Sequence, residues 1–191
     1  YVSLQFCNIG INFALPNYAQ IVVGAGSLIG GLMLLPGSLI TAVCQPWFGH
    51  LLDAHGARLP ILLGNSLFVL AALGFTLMGQ HLSVIIIAVL YIVFSIGRSM
   101  AFSNTMTNGL KEVTIQQRAD ANAIYNTGQQ FAGSLGTTIL AALMSSVKNG
   151  QMSYAHETAV GSQLAFGLIL VLGLLNFILY TIVFRYQTTD K

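Results

Sequence analysis

Six long apolar runs separated by short polar stretches set the plan of this chain. They cover residues 1–23, 28–48, 59–79, 84–107, 120–147 and 161–184. Each reaches about 20 residues, enough for an α-helix to cross the hydrocarbon core of a bilayer. The runs are continuous rather than alternating, which argues against a membrane β-barrel. The pattern predicts an all-α, polytopic membrane protein, one six-helix bundle over residues 1–191.

Glycine and proline punctuate the runs. Gly24 and Gly26 predict a short turn, Pro36 with Gly37 a bend in helix 2, and Pro16 a kink in helix 1. Pro60 falls in the first turn of helix 3, where its missing donor costs least. The stretch from Gly49 to Arg58 holds His50, Asp53, His55 and Gly56 and predicts a tight polar connection between helices 2 and 3. Residues 108–118 and 148–160 read as the longer polar loops.

Polar residues inside the spans fall in stripes. In helix 1, Gln5, Asn8, Asn12 and Pro16 lie within roughly a quarter turn of one another. Asn12 stands about 16 Å along that helix, at a depth where amides face an aqueous cavity or bond a neighbouring helix. In helix 4, Tyr91, Ser95, Arg98, Phe102 and Thr105 share a face. An arginine there costs about 3 kcal/mol to insert, against a gain of roughly 0.5 kcal/mol for each large aliphatic residue. It either lines a polar path or snorkels to the interface. In helix 5, Asn122, Asn126, Gln129 and Gly133 form one stripe. Beside them Gly128, Ala132 and Gly136 make a ladder of small residues suited to close helix packing. In helix 6, Asn176 and Tyr180 share a face.

Composition narrows the chemistry. Of 191 residues, 55% are hydrophobic and 6% charged, against about a quarter charged in soluble domains. A net charge of +2 without basic clusters gives no basis for nucleic-acid binding. Cys7 and Cys44 lie inside spans and read as small apolar fillers. His50, His55, His81 and His156 fall in connections, so neither a metal site nor a hydrolase nucleophile–base pair is expected. No cofactor is expected and the chain does not read as an enzyme. The acids Asp53, Glu112, Asp120, Glu157 and Asp190 all lie in loops or at helix ends. With six spans, Arg58, Lys111, Arg118, Arg185 and Lys191 share one side and Lys148 takes the other. This puts the 49–58 connection and the C-terminus in the cytoplasm. The first residue, Tyr1, reads as lying in or at the edge of a helix, which suggests a fragment or a separated half.

Gly49, Leu51, Asp53, Gly56 and Arg58 match the G-x-L-x-D-x-x-G-x-[RK] loop between the second and third helices of a major facilitator superfamily half. The run from Asn126 to Thr137 resembles the penultimate helix of the fourteen-span drug:proton antiporters (the QacA/EmrB type), and Leu34-Leu35-Pro36-Gly37 is similar to the same family. The chain thus resembles the C-terminal six-helix half of such a transporter. The resemblance implies multidrug efflux from the cell membrane by alternating access, with a proton as coupling ion. It implies a cavity lined by helices 1 and 4, hence by Asn8, Asn12, Tyr91, Ser95 and Arg98. An aromatic and apolar wall there suits bulky lipophilic solutes. It also implies a cytoplasmic gate at Gly49, Asp53, Gly56 and Arg58, with Asp53 pairing with Arg58 or facing the start of helix 5 near Asp120. Since no acid of this chain lies at membrane depth, any proton-carrying carboxylate comes from the other half. The alternative is a non-transporting membrane subunit or scaffold that uses the small-residue ladder for contact, or an inactive transporter fragment.

Overall fold

A computed structural model describes residues 1–147 and 152–189. Its elements are α1 (Val2–Ile21), α2 (Ser27–Leu32), α3 (Leu35–His55), α4 (Arg58–Leu77), α5 (Val84–Lys111), a 3-10 turn (Ile115–Gln117), α6 (Arg118–Ser146) and α7 (Tyr154–Thr189). Among the described residues there is no strand. Four stretches of the described residues are long and apolar enough to cross a membrane: Ser27–His55 taken across its break, Arg58–Leu77, Val84–Lys111 and Tyr154–Arg185. The other two long helices, α1 and α6, each carry a polar stripe.

The breaks follow local chemistry. Gly24, at a φ of 72°, turns the chain after α1. Helix 2 is divided, with α3 restarting so that Pro36 lies in its first turn. There the missing N–H is one the helix start would leave unpaired anyway. Pro16 sits inside α1 without ending it. Ser83 caps α5, its hydroxyl accepting from Ile86 N–H at 3.4 Å.

Three boundaries differ from the sequence reading. The stretch from Gly49 to Arg58 is not a loop: α3 runs two turns further, to His55, and α4 starts at Arg58. Gly49 has helical neighbours on both sides, and Phe48 and Leu52 continue the buried face of α3. The stop is Gly56, whose φ of 71° is open to glycine and strained for other residues. The expected 108–118 loop shrinks because α5 continues to Lys111. The 148–160 loop shrinks because α7 starts at Tyr154, and residues 148–151 lie outside the described residues. The Ser153 hydroxyl accepts from His156 N–H at 3.3 Å, and Glu157 in the first turn accepts from Met152 N–H at 3.4 Å. That arrangement satisfies free amides at the helix start.

Packing pairs α4 with α5 most extensively, then α1 with α6, α4 with α7, and α3 with α5. Two glycines let α4 and α5 touch. A Cβ on Gly64 would stand 2.7 Å from the Gly97 carbonyl oxygen, and one on Gly97 would stand 2.5 Å from the Phe68 backbone nitrogen. Around this crossing Phe68 and Phe94 meet at 5.0 Å between ring centroids, and Phe75 and Phe166 at 5.4 Å. In a bilayer such contacts stabilise by packing, since lipid tails are as apolar as the core. On α6, Gly133 and Gly136 lie against Ile9 and the Phe6 backbone of α1, and Ala132 is buried beside them. Gly128 is looser, its nearest neighbour for a Cβ being Val2 at 3.9 Å.

A polar cavity between α1, α3 and α5

A cavity of about 410 Å³ lies between α1, α3 and α5. Helix α1 contributes Asn8 and Asn12, and α5 contributes Tyr91, Ser95, Arg98, Ser99, Phe102 and Ser103. Helix α3 adds Ser38, Thr41, Ala42 and Gln45. The structure thus brings Asn8, Asn12, Tyr91, Ser95 and Arg98 to one space. Asn12, Ser38, Ala42 and Gln45 are exposed, so the cavity is open along its α1–α3 side.

The wall is held by contacts between helices. The Tyr91 hydroxyl donates to Asn12 Oδ1 at 2.8 Å, tying α5 to α1. Ser99 donates to Gln45 Oε1 at 2.9 Å, and Gln45 Nε2 donates to Ser103 at 2.6 Å, tying α5 to α3. Gly37 makes room for this approach, because a Cβ there would stand 2.6 Å from Tyr91 Cδ1 and 3.2 Å from Ser95 Oγ. Arg98 follows Gly97, which is pressed against α4. The Arg98 guanidinium carbon stands 5.7 Å from the Phe102 ring centroid, and its Nε is buried without a hydrogen-bond partner. Asn176 and Tyr180 of α7 serve elsewhere: Ser3 donates to Asn176 Oδ1 at 2.8 Å, and Tyr180 bonds Thr105 at 2.9 Å.

Two features differ from the sequence reading. The wall is not mainly aromatic and apolar, because hydroxyls and amides from three helices share it about equally with apolar surface, to which Ala42 and the rings of Tyr91 and Phe102 contribute. The α3 contribution was not anticipated, although Ser38, Thr41 and Gln45 recur at spacings of three and four. Ser38 and Thr41 donate to the carbonyls of Leu34 and Gly37 four residues back. Such residues insert with little penalty and leave little trace in a hydropathy pattern.

At the far end of α3, Asp53 pairs with Lys111 at 3.5 Å, both side chains exposed. Its recorded partner is therefore the last residue of α5, not Arg58 or the start of α6. Arg58 instead opens α4 and, with His55, borders an apolar groove against Phe177. Among the described residues, no three His, Cys, Asp or Glu side chains cluster as metal ligands would.

The family model of the Major Facilitator Superfamily matches residues 1–137. The lincomycin resistance protein LmrB of Listeria innocua serovar 6a is 36% identical over 147 residues, covering 77% of this chain and 30% of its own length. The uncharacterized MFS-type transporter YcnB of Bacillus subtilis is 31% identical over 173 residues, 90% of this chain and 37% of its own. The multidrug resistance protein Stp of Mycobacterium tuberculosis is 24% identical over 158 residues, 83% of this chain and 29% of its own. The chain therefore spans about a third of the length of these relatives. No solved structure matches it. On the family match and the helical membrane fold, the chain belongs to the major facilitator superfamily.

Proposed function

We propose that this chain is the C-terminal six-helix half of a secondary transporter that exports drug-like small molecules from the cell by proton-coupled alternating access. The observation that carries this reading is the polar cavity between α1, α3 and α5. A membrane protein that exposes so many hydroxyl and amide groups beside apolar spans needs water or a polar solute there. Asn8, Asn12, Tyr91, Ser95 and Arg98 then bind solute, joined by Gln45 and Ser99. The wall suits amphiphiles with hydroxyl and amide groups better than purely lipophilic compounds, and a lincosamide such as lincomycin is of that kind. The C-terminus and the α3–α4 turn face the cytoplasm. The N-terminal half, or a second copy, completes the path, because alternating access rocks two halves around a midplane site.

The test is efflux from cells or vesicles of a lipophilic fluorescent cation, and of lincomycin, by the complete transporter and by these 191 residues alone. The expected result is efflux that needs the proton gradient and the companion half. Self-association with no flux of either compound by the complete protein would favour a scaffold instead.

A further inference from the structure

Arg98 is the fifteenth of the 28 residues of α5, far from either helix end. Its guanidinium offers five donors and no acceptor. Phe102 covers one face at 5.7 Å but answers none of the edge donors, and Nε is buried without a partner. Two of the amide acceptors that line the cavity are engaged elsewhere, Gln45 Oε1 with Ser99 and Asn12 Oδ1 with Tyr91. No acid lies nearby among the described residues. Asp53 is with Lys111, Glu112 and Asp120 are exposed at the ends of α5 and α6, and Glu157 lies in the first turn of α7. A fixed cation thus borders a cavity with its hydrogen-bonding edge unanswered.

We infer that Arg98 receives a carboxylate that enters this cavity from outside the described residues. A planar fork of N–H donors matches the two oxygens of a carboxylate better than a spherical ion. The rings of Tyr91 and Phe102 line the same cavity, so an aromatic carboxylate has both a partner for its charge and a surface for its ring. The inference rests on the reading of this cavity as the solute site. The carboxylate has two sources, an acid-bearing solute or an acidic side chain of the companion half.

The test uses the complete transporter purified in detergent, and a matched set of probes: naphthoate, naphthamide and naphthylmethylammonium. Binding is read by equilibrium dialysis and by the shift of the melting curve. With a solute carboxylate, naphthoate binds at least tenfold more tightly than naphthamide. Arg98→Gln removes that preference and Arg98→Lys retains part of it. With a carboxylate from the companion half, the unsubstituted protein shows no such preference. Arg98→Gln then leaves that acid at membrane depth without its cation, which favours the protonated form that dicyclohexylcarbodiimide labels, although it was unreactive before. Neither a carboxylate preference nor new labelling would overturn the inference. Should Arg98→Gln not fold, Arg98→Lys carries the comparison: weakened preference or new labelling supports the inference, and an unchanged protein overturns it. Neither readout needs flux. Binding without efflux would sink the transporter reading alone, and efflux without preference or labelling would sink this one alone.

Discussion

Gly97 connects packing to chemistry within two residues. On one side its missing side chain lets α5 touch α4, where a Cβ would stand 2.5 Å from the Phe68 nitrogen and 2.8 Å from Leu67 Cβ. On the other side the next residue, Arg98, borders the cavity. A backbone atom cannot swing aside as a side-chain tip can. Gly97→Val is therefore expected to cost about 1–3 kcal/mol by overpacking, read as a lower unfolding temperature in detergent, and to weaken solute binding by displacing Arg98. Gly49→Ala is the control: a Cβ there meets nothing within 4 Å. Removing a mid-helix glycine should leave stability unchanged or raise it by about 0.5–1 kcal/mol. At this scale, Asn8, Asn12 and Arg98 were legible in the sequence because amides and charges at membrane depth are costly enough to stand out. Gly64, Gly97 and Gly37 were not, because a glycine in a span looks alike whether it meets a backbone or a lipid.

The helices themselves were readable from the apolar runs, and their ends were not. Each misplaced end lies where polar residues stay helical beyond the hydrocarbon run, as in α3 past Phe48 and α5 past Thr107. These extensions have a consequence, since they bring Asp53 at the end of α3 within 3.5 Å of Lys111 at the end of α5. The pair ties together two helices that line the cavity. An exposed pair of this kind contributes about 0.2–1 kcal/mol, too little to hold the fold and suited to a contact that forms and breaks. Asp53→Asn and Lys111→Gln in the complete transporter are each expected to cut flux while leaving membrane abundance and unfolding temperature nearly unchanged. The exchange Asp53→Lys with Lys111→Asp is expected to restore part of it. Unchanged flux in both single variants would count against a gating role for the pair.

At the scale of the whole molecule, the outer faces are as informative as the core. On α3, Val43 and Trp47 are each 78% exposed, and on α6 Ile124 is 72% and Phe131 64% exposed. The same two helices carry exposed polar groups, Ser38 and Gln45 on α3 and Asn122, Asn126 and Gln130 on α6. At 100° per residue the apolar pair of each helix lies roughly opposite its amides and hydroxyls, so the apolar faces suit lipid and the polar faces suit water or a protein partner. In the proposed function, a companion half over the polar faces of α3 and α6 would close the cavity.

That account stands or falls on whether the cavity is a water-filled path. The most direct measurement is thiol labelling of Asn12→Cys and Ser95→Cys in the complete transporter, with Cys44 changed to Ser and the fully buried Cys7 retained. A membrane-impermeant maleimide should modify both positions, faster at the exposed Asn12 than at the buried Ser95. The rates should depend on the proton gradient and fall when solute is added. No modification at either position, with or without the gradient, would mean that these polar groups only hold helices together, and would contradict the transport cavity.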